Sequence, residues 1–176
     1  MWAGAGALLV QRRFGLGRRT VAATAGMAAL PDLPHLLPIL AWVLFGEGGA
    51  EAVQAYAFAK PGLEPSMPHE VVFVSHHLHC IMHSAIVAGA VTLLAWGIMR
   101  RVWFPLWGWW LHILIDIPTH SADYYPVPVL YPITQQGFDG IAWTTPWFMA
   151  LNYGLLAATY LWLARRRWPA LGPSGH

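Results

Sequence analysis

The sequence predicts an all-α polytopic membrane protein: a single transmembrane domain over residues 1–176, built as a four-transmembrane-helix bundle whose first helix is broken at Pro31–Pro34. Three observations predict it. The composition is 57% hydrophobic and only 10% charged, with a mean hydropathy of +0.46, well outside the usual range of soluble domains. Its apolar residues gather into runs that approach or exceed the roughly 20 residues a helix needs to cross a bilayer. Its arginines sit in short clusters between those runs, which is how topology signals are arranged rather than a phosphate-binding footprint. A nucleic-acid partner is therefore not expected.

Taken in order, residues 1–19 open with an apolar stretch too short to span and lead into Arg12, Arg13, Arg18 and Arg19. The arginines follow the apolar stretch rather than precede it, the reverse of a cleavable signal peptide. The first predicted span covers about 20–45 and is interrupted by Pro31, Pro34 and Pro38. Proline removes a backbone donor and clashes with the preceding turn, so a kink is expected at PDLPH. A polar connection follows, holding Glu47, Glu51, Lys60, Glu64 and Glu70, with a short surface helix expected over Ala50–Ala59. The second span, about 71–99, contains no proline and reads as one continuous helix closed by Arg100 and Arg101. The third, about 102–118, ends at Pro118. Residues 119–141 carry Pro126, Pro128, Pro132, Gly137 and Gly140 with three tyrosines, and read as an aromatic interfacial loop. The fourth span, about 143–164, precedes Arg165, Arg166 and Arg167.

With four crossings all three arginine clusters fall on one side. The positive-inside rule then predicts a multi-pass chain with both termini cytoplasmic. The lone Cys80 excludes an intrachain disulfide.

Ionisable side chains inside such segments are costly and mark function. His112, Asp116 and His120 recur every four residues in LHILIDIPTH and so share one helical stripe. Asp32 and His35 lie in PDLPH, and His76, His79 and His83 lie in HHLHCIMHS. Counted from the arginine-bearing ends at about 1.5 Å per residue, Asp32, His35, His83, His112, Asp116 and His120 all fall roughly 15–27 Å deep. Three segments running in alternating directions bring them to one layer. Imidazole and carboxylate are the usual nitrogen and oxygen ligands of zinc, and a cation offsets the cost of burying two aspartates that have no basic side chain within the spans. The expectation is one divalent metal, zinc foremost, where these three segments meet, since His112 with Asp116 and His79 with His83 stand four apart and can each point at one ion. Asp123 and Glu70, near the outer surface, are the candidate general bases for a metal-bound water. Lipid is then the expected substrate, through hydrolysis of an ester or phosphoester.

Other residues take blander roles. Ser84 in an apolar helix is expected to bond its own i−4 carbonyl, Trp103, Trp107, Trp109 and Trp110 to anchor the interface and pack helices, and Cys80 to be an inert thiol. Two rival functions stay open. One is a non-haem iron lipid oxygenase, suggested by His76, His77, His79 and His83. The other is a non-catalytic accessory subunit of a larger membrane complex, with its histidines bonding backbone or holding pigment or haem.

The motifs LPDLPH (Leu30–His35), MHS (Met82–Ser84) and HILIDIPT (His112–Thr119), followed by VPVLYP (Val127–Pro132), resemble in order those of the YdjM-like inner-membrane proteins predicted to be metal-dependent hydrolases. The resemblance runs from Leu30 to Pro132 and implies Asp32, His35, His83, His112 and Asp116 as ligands. It departs at Pro34, where the family pattern has a second aspartate, and at Leu78, where it has a histidine for which His79 or His76 would stand in.

Overall fold

The computed structural model describes residues 2–57, 65–123 and 126–165. Lys60, Glu64, Tyr124, Tyr125, Arg166 and Arg167 lie outside them. The described residues are all-helical, with no β-strand. In order they form α1 (Trp2–Phe14), α2 (Arg18–Ala29), two 3-10 turns (Leu30–Asp32 and Pro34–Leu36), α3 (Leu37–Phe45), α4 (Ala50–Ala57), α5 (His69–Met82), α6 (Ala85–Met99), α7 (Leu106–Thr119) and α8 (Pro146–Arg165).

Among the described helices, α8 is the one long and apolar enough to cross a membrane by itself. Two bent pairs reach that length only when taken together. These are Arg18–Asp32 with Pro34–Phe45, bent by 41°, and His69–Met82 with Ala85–Met99, bent by 60°. α7 has 14 residues, about 21 Å at the helical rise, which is short of a hydrocarbon core roughly 30 Å thick.

The first bend is the one the prolines predict. Pro31 is the second residue of the first 3-10 turn and Pro34 opens the second, positions where a missing N–H costs least. Leu33 N–H then bonds the Leu30 carbonyl and Leu36 N–H the Leu33 carbonyl. The second bend corrects the expectation of one helix over 71–99. α5 stops at Met82, His83 adopts φ −101°, ψ 9°, and Ser84 is extended at φ −86°, ψ 124°. Ser84 therefore caps α6, its Oγ accepting from Val87 N–H at 3.2 Å. The same hydroxyl donates to the Tyr131 carbonyl at 2.6 Å, and Ala85 N–H donates to the Val129 carbonyl at 2.9 Å. Trp109 Nε1–H takes up the Met82 carbonyl at 2.6 Å. Backbone groups freed inside an apolar layer need such partners, and the VPVLYP segment together with α7 provides them.

The loop after α7 is accordingly more than an interfacial connection. Val127 and Pro128 are fully buried. Gly140, Ile141 and Trp143 donate their N–H groups to the His120, Pro118 and Thr119 carbonyls, covering the end of α7.

The core joins Ala88, Leu106, Trp109 and Ile113, with Met27 and Met82 packed against it. α2 crosses α7 closely because residue 108 is glycine: a methyl group there would overlap the Thr24 carbonyl oxygen. Gly108 begins the stripe that continues through His112 and Asp116, so the close crossing carries the α2 extension toward those side chains. α1, not expected from the sequence, packs through buried Ala3, Ala5 and Ala7, and Trp2 Nε1–H bonds Asn152 Oδ1 of α8 at 2.7 Å. The starts of α1 and the middle of α8 thus meet. α8 otherwise exposes Trp147, Leu151, Leu155 and Leu161, an apolar surface suited to lipid.

Candidate metal centre

Each of the two bends delivers one side chain to the stripe on α7. Asp32 comes from the first 3-10 turn and His83 from the residue that ends α5. His112 and Asp116 come from a regular helix, one turn apart. Their donor atoms converge: Asp32, His83, His112 and Asp116 offer one ligand atom each within 4.8 Å of one another.

The individual separations are informative. His83 Nε2 lies 3.1 Å from His112 Nε2 and 3.4 Å from Asp116 Oδ2. His112 Nε2 lies 3.0 Å from Asp116 Oδ2. Asp32 Oδ1 is 3.4 Å from His112 Nε2 and 3.6 Å from His83 Nε2. A tetrahedral ion with ligand bonds of about 2.0–2.1 Å needs donor atoms about 3.3 Å apart, and these distances bracket that value. Two imidazole nitrogens and two carboxylate oxygens are a donor set suited to zinc and neighbouring divalent ions. The four residues can hold a metal ion.

Outer hydrogen bonds set the ligand atoms. His83 Nδ1 lies 2.9 Å from the His79 carbonyl. A carbonyl can only accept, so Nδ1 carries the proton and a neutral His83 turns its Nε2 lone pair to the centre, the usual support for a metal-ligating histidine. His83 is 1% exposed, whereas the Asp32 side chain is 61% exposed. His83 is the sealed corner, His112 and Asp116 are partly buried, and Asp32 is the open corner.

That corner faces a cavity of about 780 Å³ lined by Asp32, His83 and Asp116, by apolar side chains such as Leu36, Val72 and Phe148, and by polar ones such as Tyr56, Thr119 and Asn152. His35 and His79, the other expected ligands, lie beside the four-atom group rather than in it. The His79 ring stacks on His83 with centroids 4.1 Å apart, and His35 meets His79 edge-on at 5.6 Å. Both line the cavity, as does His120, whose Nδ1 donates to the Asp116 carbonyl at 3.0 Å. His76 engages Gln135 and the Cys80 sulfur, and His77 the Phe73 carbonyl.

Asp123 and Glu70 are not brought to this group. Both are exposed, and neither lines the cavity. Asp123 accepts from the Ser121 hydroxyl at 2.6 Å, which holds its carboxyl below the usual carboxylate range.

Gly108 was not singled out by sequence, though it had a signal, standing one turn before His112. Ser84 does not bond its own i−4 carbonyl as expected: its hydroxyl donates to the Tyr131 carbonyl and caps α6, a role signalled by a capping residue opening a small-residue helix. The part played by Val127–Pro132 had a weaker signal, since a proline-rich stretch keeps its carbonyls while lacking donors. Trp109 and Trp110 are packing residues: Trp110 Nε1–H bonds Thr92 Oγ1 at 3.0 Å. No family model matches the chain, and no curated protein or solved structure is similar enough to it for relatedness to be argued.

Proposed function

We infer that this is a multi-pass inner-membrane hydrolase that uses one divalent metal ion, zinc foremost, to cleave an ester-type bond in a membrane-proximal lipid. The observation that carries this reading is the convergence of four donor atoms within 4.8 Å of one another, opening through Asp32 into a cavity lined by both histidines and apolar side chains. In the membrane, α8 and the two bent pairs cross, and α7 with the buried loop behind it completes a fourth passage. Arg18, Arg19, Arg100, Arg101 and Arg165 then share the cytoplasmic side, while α1 returns from that side to the level of Asn152. The ordered resemblance of LPDLPH, MHS, HILIDIPT and VPVLYP to YdjM-like proteins supports the same assignment.

The ion, when bound, would acidify a water molecule and polarise the bond to be cut. His83, His112 and Asp116 would hold it. Asp32, at the cavity mouth, completes the shell or accepts the proton of that water; it stands where Asp123 and Glu70 do not. The cavity-lining histidines are placed to pass a proton to the leaving group. The iron-oxygenase alternative gathers less support, because His76 and His77 lie outside the four-residue group.

The test is elemental analysis of the purified protein. One equivalent of zinc or a similar ion in the native form, and none in Asp116→Ala, is expected. A native protein free of stoichiometric metal would overturn the reading.

A further inference from the structure

α8 carries an amide that the fold around it only half uses. Asn152 lies in an apolar helix, where a polar side chain is costly unless it is partnered or borders a cavity. Its Oδ1 accepts from Trp2 Nε1–H at 2.7 Å. An indole nitrogen can only donate, so this contact fixes which end of the amide is oxygen and leaves both Nδ2 hydrogens for another partner. Among the described residues none accepts from Nδ2, and that nitrogen is not one of the sealed polar atoms of the interior. Trp2 and Asn152 both line the cavity that is also lined by Asp32, His83 and Asp116.

Asn152 also stands at the depth of the candidate metal group. Trp143 N–H is tied to the Thr119 carbonyl at the end of α7, and α8 starts just beyond it, at Pro146. In the four-passage arrangement the chain turns back there. Counted from this end at about 1.5 Å per residue, Asn152 lies roughly 9 Å along α8, while Asp116 and His112 lie roughly 4.5 and 10.5 Å along α7. Among the described helices α8 packs against α1 and not against α7, which leaves the cavity between Asn152 and the stripe that bears the ligands.

We propose that Asn152 is a ligand subsite: its amide, aimed by Trp2, donates to an oxygen of the ester whose reacting bond lies at the four ligand side chains. This rests on the metal-hydrolase reading above. The group recognised is an acceptor oxygen, carbonyl or phosphoryl, and a neutral donor at a fixed place orients such an ester without adding charge. Trp2 is a positioning residue that acts through Asn152, by keeping the amide from turning its oxygen to the cavity.

The experiment uses the full chain, cobalt-loaded, in zwitterionic nanodiscs, and follows the visible absorption of the metal during titration with butyrate, butyl phosphate and butanethiol. The first two probes offer acceptor oxygens, whereas the third reaches the metal through sulfur. Asn152→Leu is expected to weaken the oxygen probes about fivefold, the loss of one net hydrogen bond, with butanethiol affinity and cobalt content unchanged. The probe that loses more, carboxylate or phosphate, identifies the source of the recognised oxygen. Trp2→Phe, which keeps the amide but frees it to turn, should weaken the same probes by a smaller factor. The double variant Trp2→Phe with Asn152→Leu leaves no unpaired indole N–H and should match Asn152→Leu. Equal weakening of all three probes, or no weakening of either oxygen probe, would overturn the subsite while leaving the metal centre. A native chain that binds no cobalt would overturn the metal-hydrolase reading itself.

Discussion

At Pro31–Pro34 the chain bends by 41° because its own residues forbid a straight helix, whereas at His83–Ser84 it bends by 60° with no proline or glycine at the break. The first bend is local and satisfies itself through i→i+3 hydrogen bonds. The second is held from outside, by Val129 and Tyr131 carbonyls on one side and the Trp109 indole on the other. The two also present their ligands differently. The proline bend leaves Asp32 open to the cavity, and the capped bend seals His83 in the interior. A bend made by covalent restriction needs no neighbours and can sit at a cavity mouth. One made by capping needs partners around it, and those partners bury what it carries.

This contrast can be broken by substitution. The largest effect is expected from His83→Ala, which removes the most buried of the four side chains: stoichiometric metal should disappear in elemental analysis even with excess zinc supplied. Asp32→Ala, at the open corner, should keep metal but bind it about 10–100-fold more weakly, as measured by competition with a chromogenic chelator. If both variants lose metal equally, the distinction between sealed and open ligands is wrong. Ser84→Ala removes the cap of α6 and the bond to Tyr131, and should lower stability by about 1–2 kcal/mol, seen as earlier thermal loss of tryptophan fluorescence in detergent. Pro34→Ala should be the mildest, within about 1 kcal/mol: Pro31 still restricts the turn, and the bend rests on the local hydrogen bonds that remain. A larger loss from Pro34→Ala than from Ser84→Ala would reverse the roles assigned to the two bends.

What could be read in advance follows the same division. The stripe of His112 and Asp116 was legible because helical spacing is a property of the chain itself, and Asp32 because proline announces its own kink. His83 was legible as a residue and illegible as a helix end, since nothing between Val71 and Met99 forbids a continuous helix. What stops it is a segment more than 40 residues away, supplying carbonyls to Ser84 and Ala85. The shortness of α7 was hidden for a related reason: Val102–Pro105 is apolar enough to extend a span, yet helix begins only at Leu106. Asp123 and Glu70 are expected as bases because both fall near the outer surface, and the structure leaves both exposed and off the cavity.

Composition, arginine placement and helical periodicity by themselves determined an all-α chain with membrane-length apolar segments and a small set of acidic and imidazole side chains bound to share a layer. Only the tertiary structure decided that four of them, Asp32, His83, His112 and Asp116, approach to ligand distance while His35 and His79 stand beside them. The physical reason is that depth along a helix is fixed by counting residues, whereas approach between helices depends on close packing. Here that packing turns on the missing side chain at Gly108 and on carbonyls lent by a distant loop.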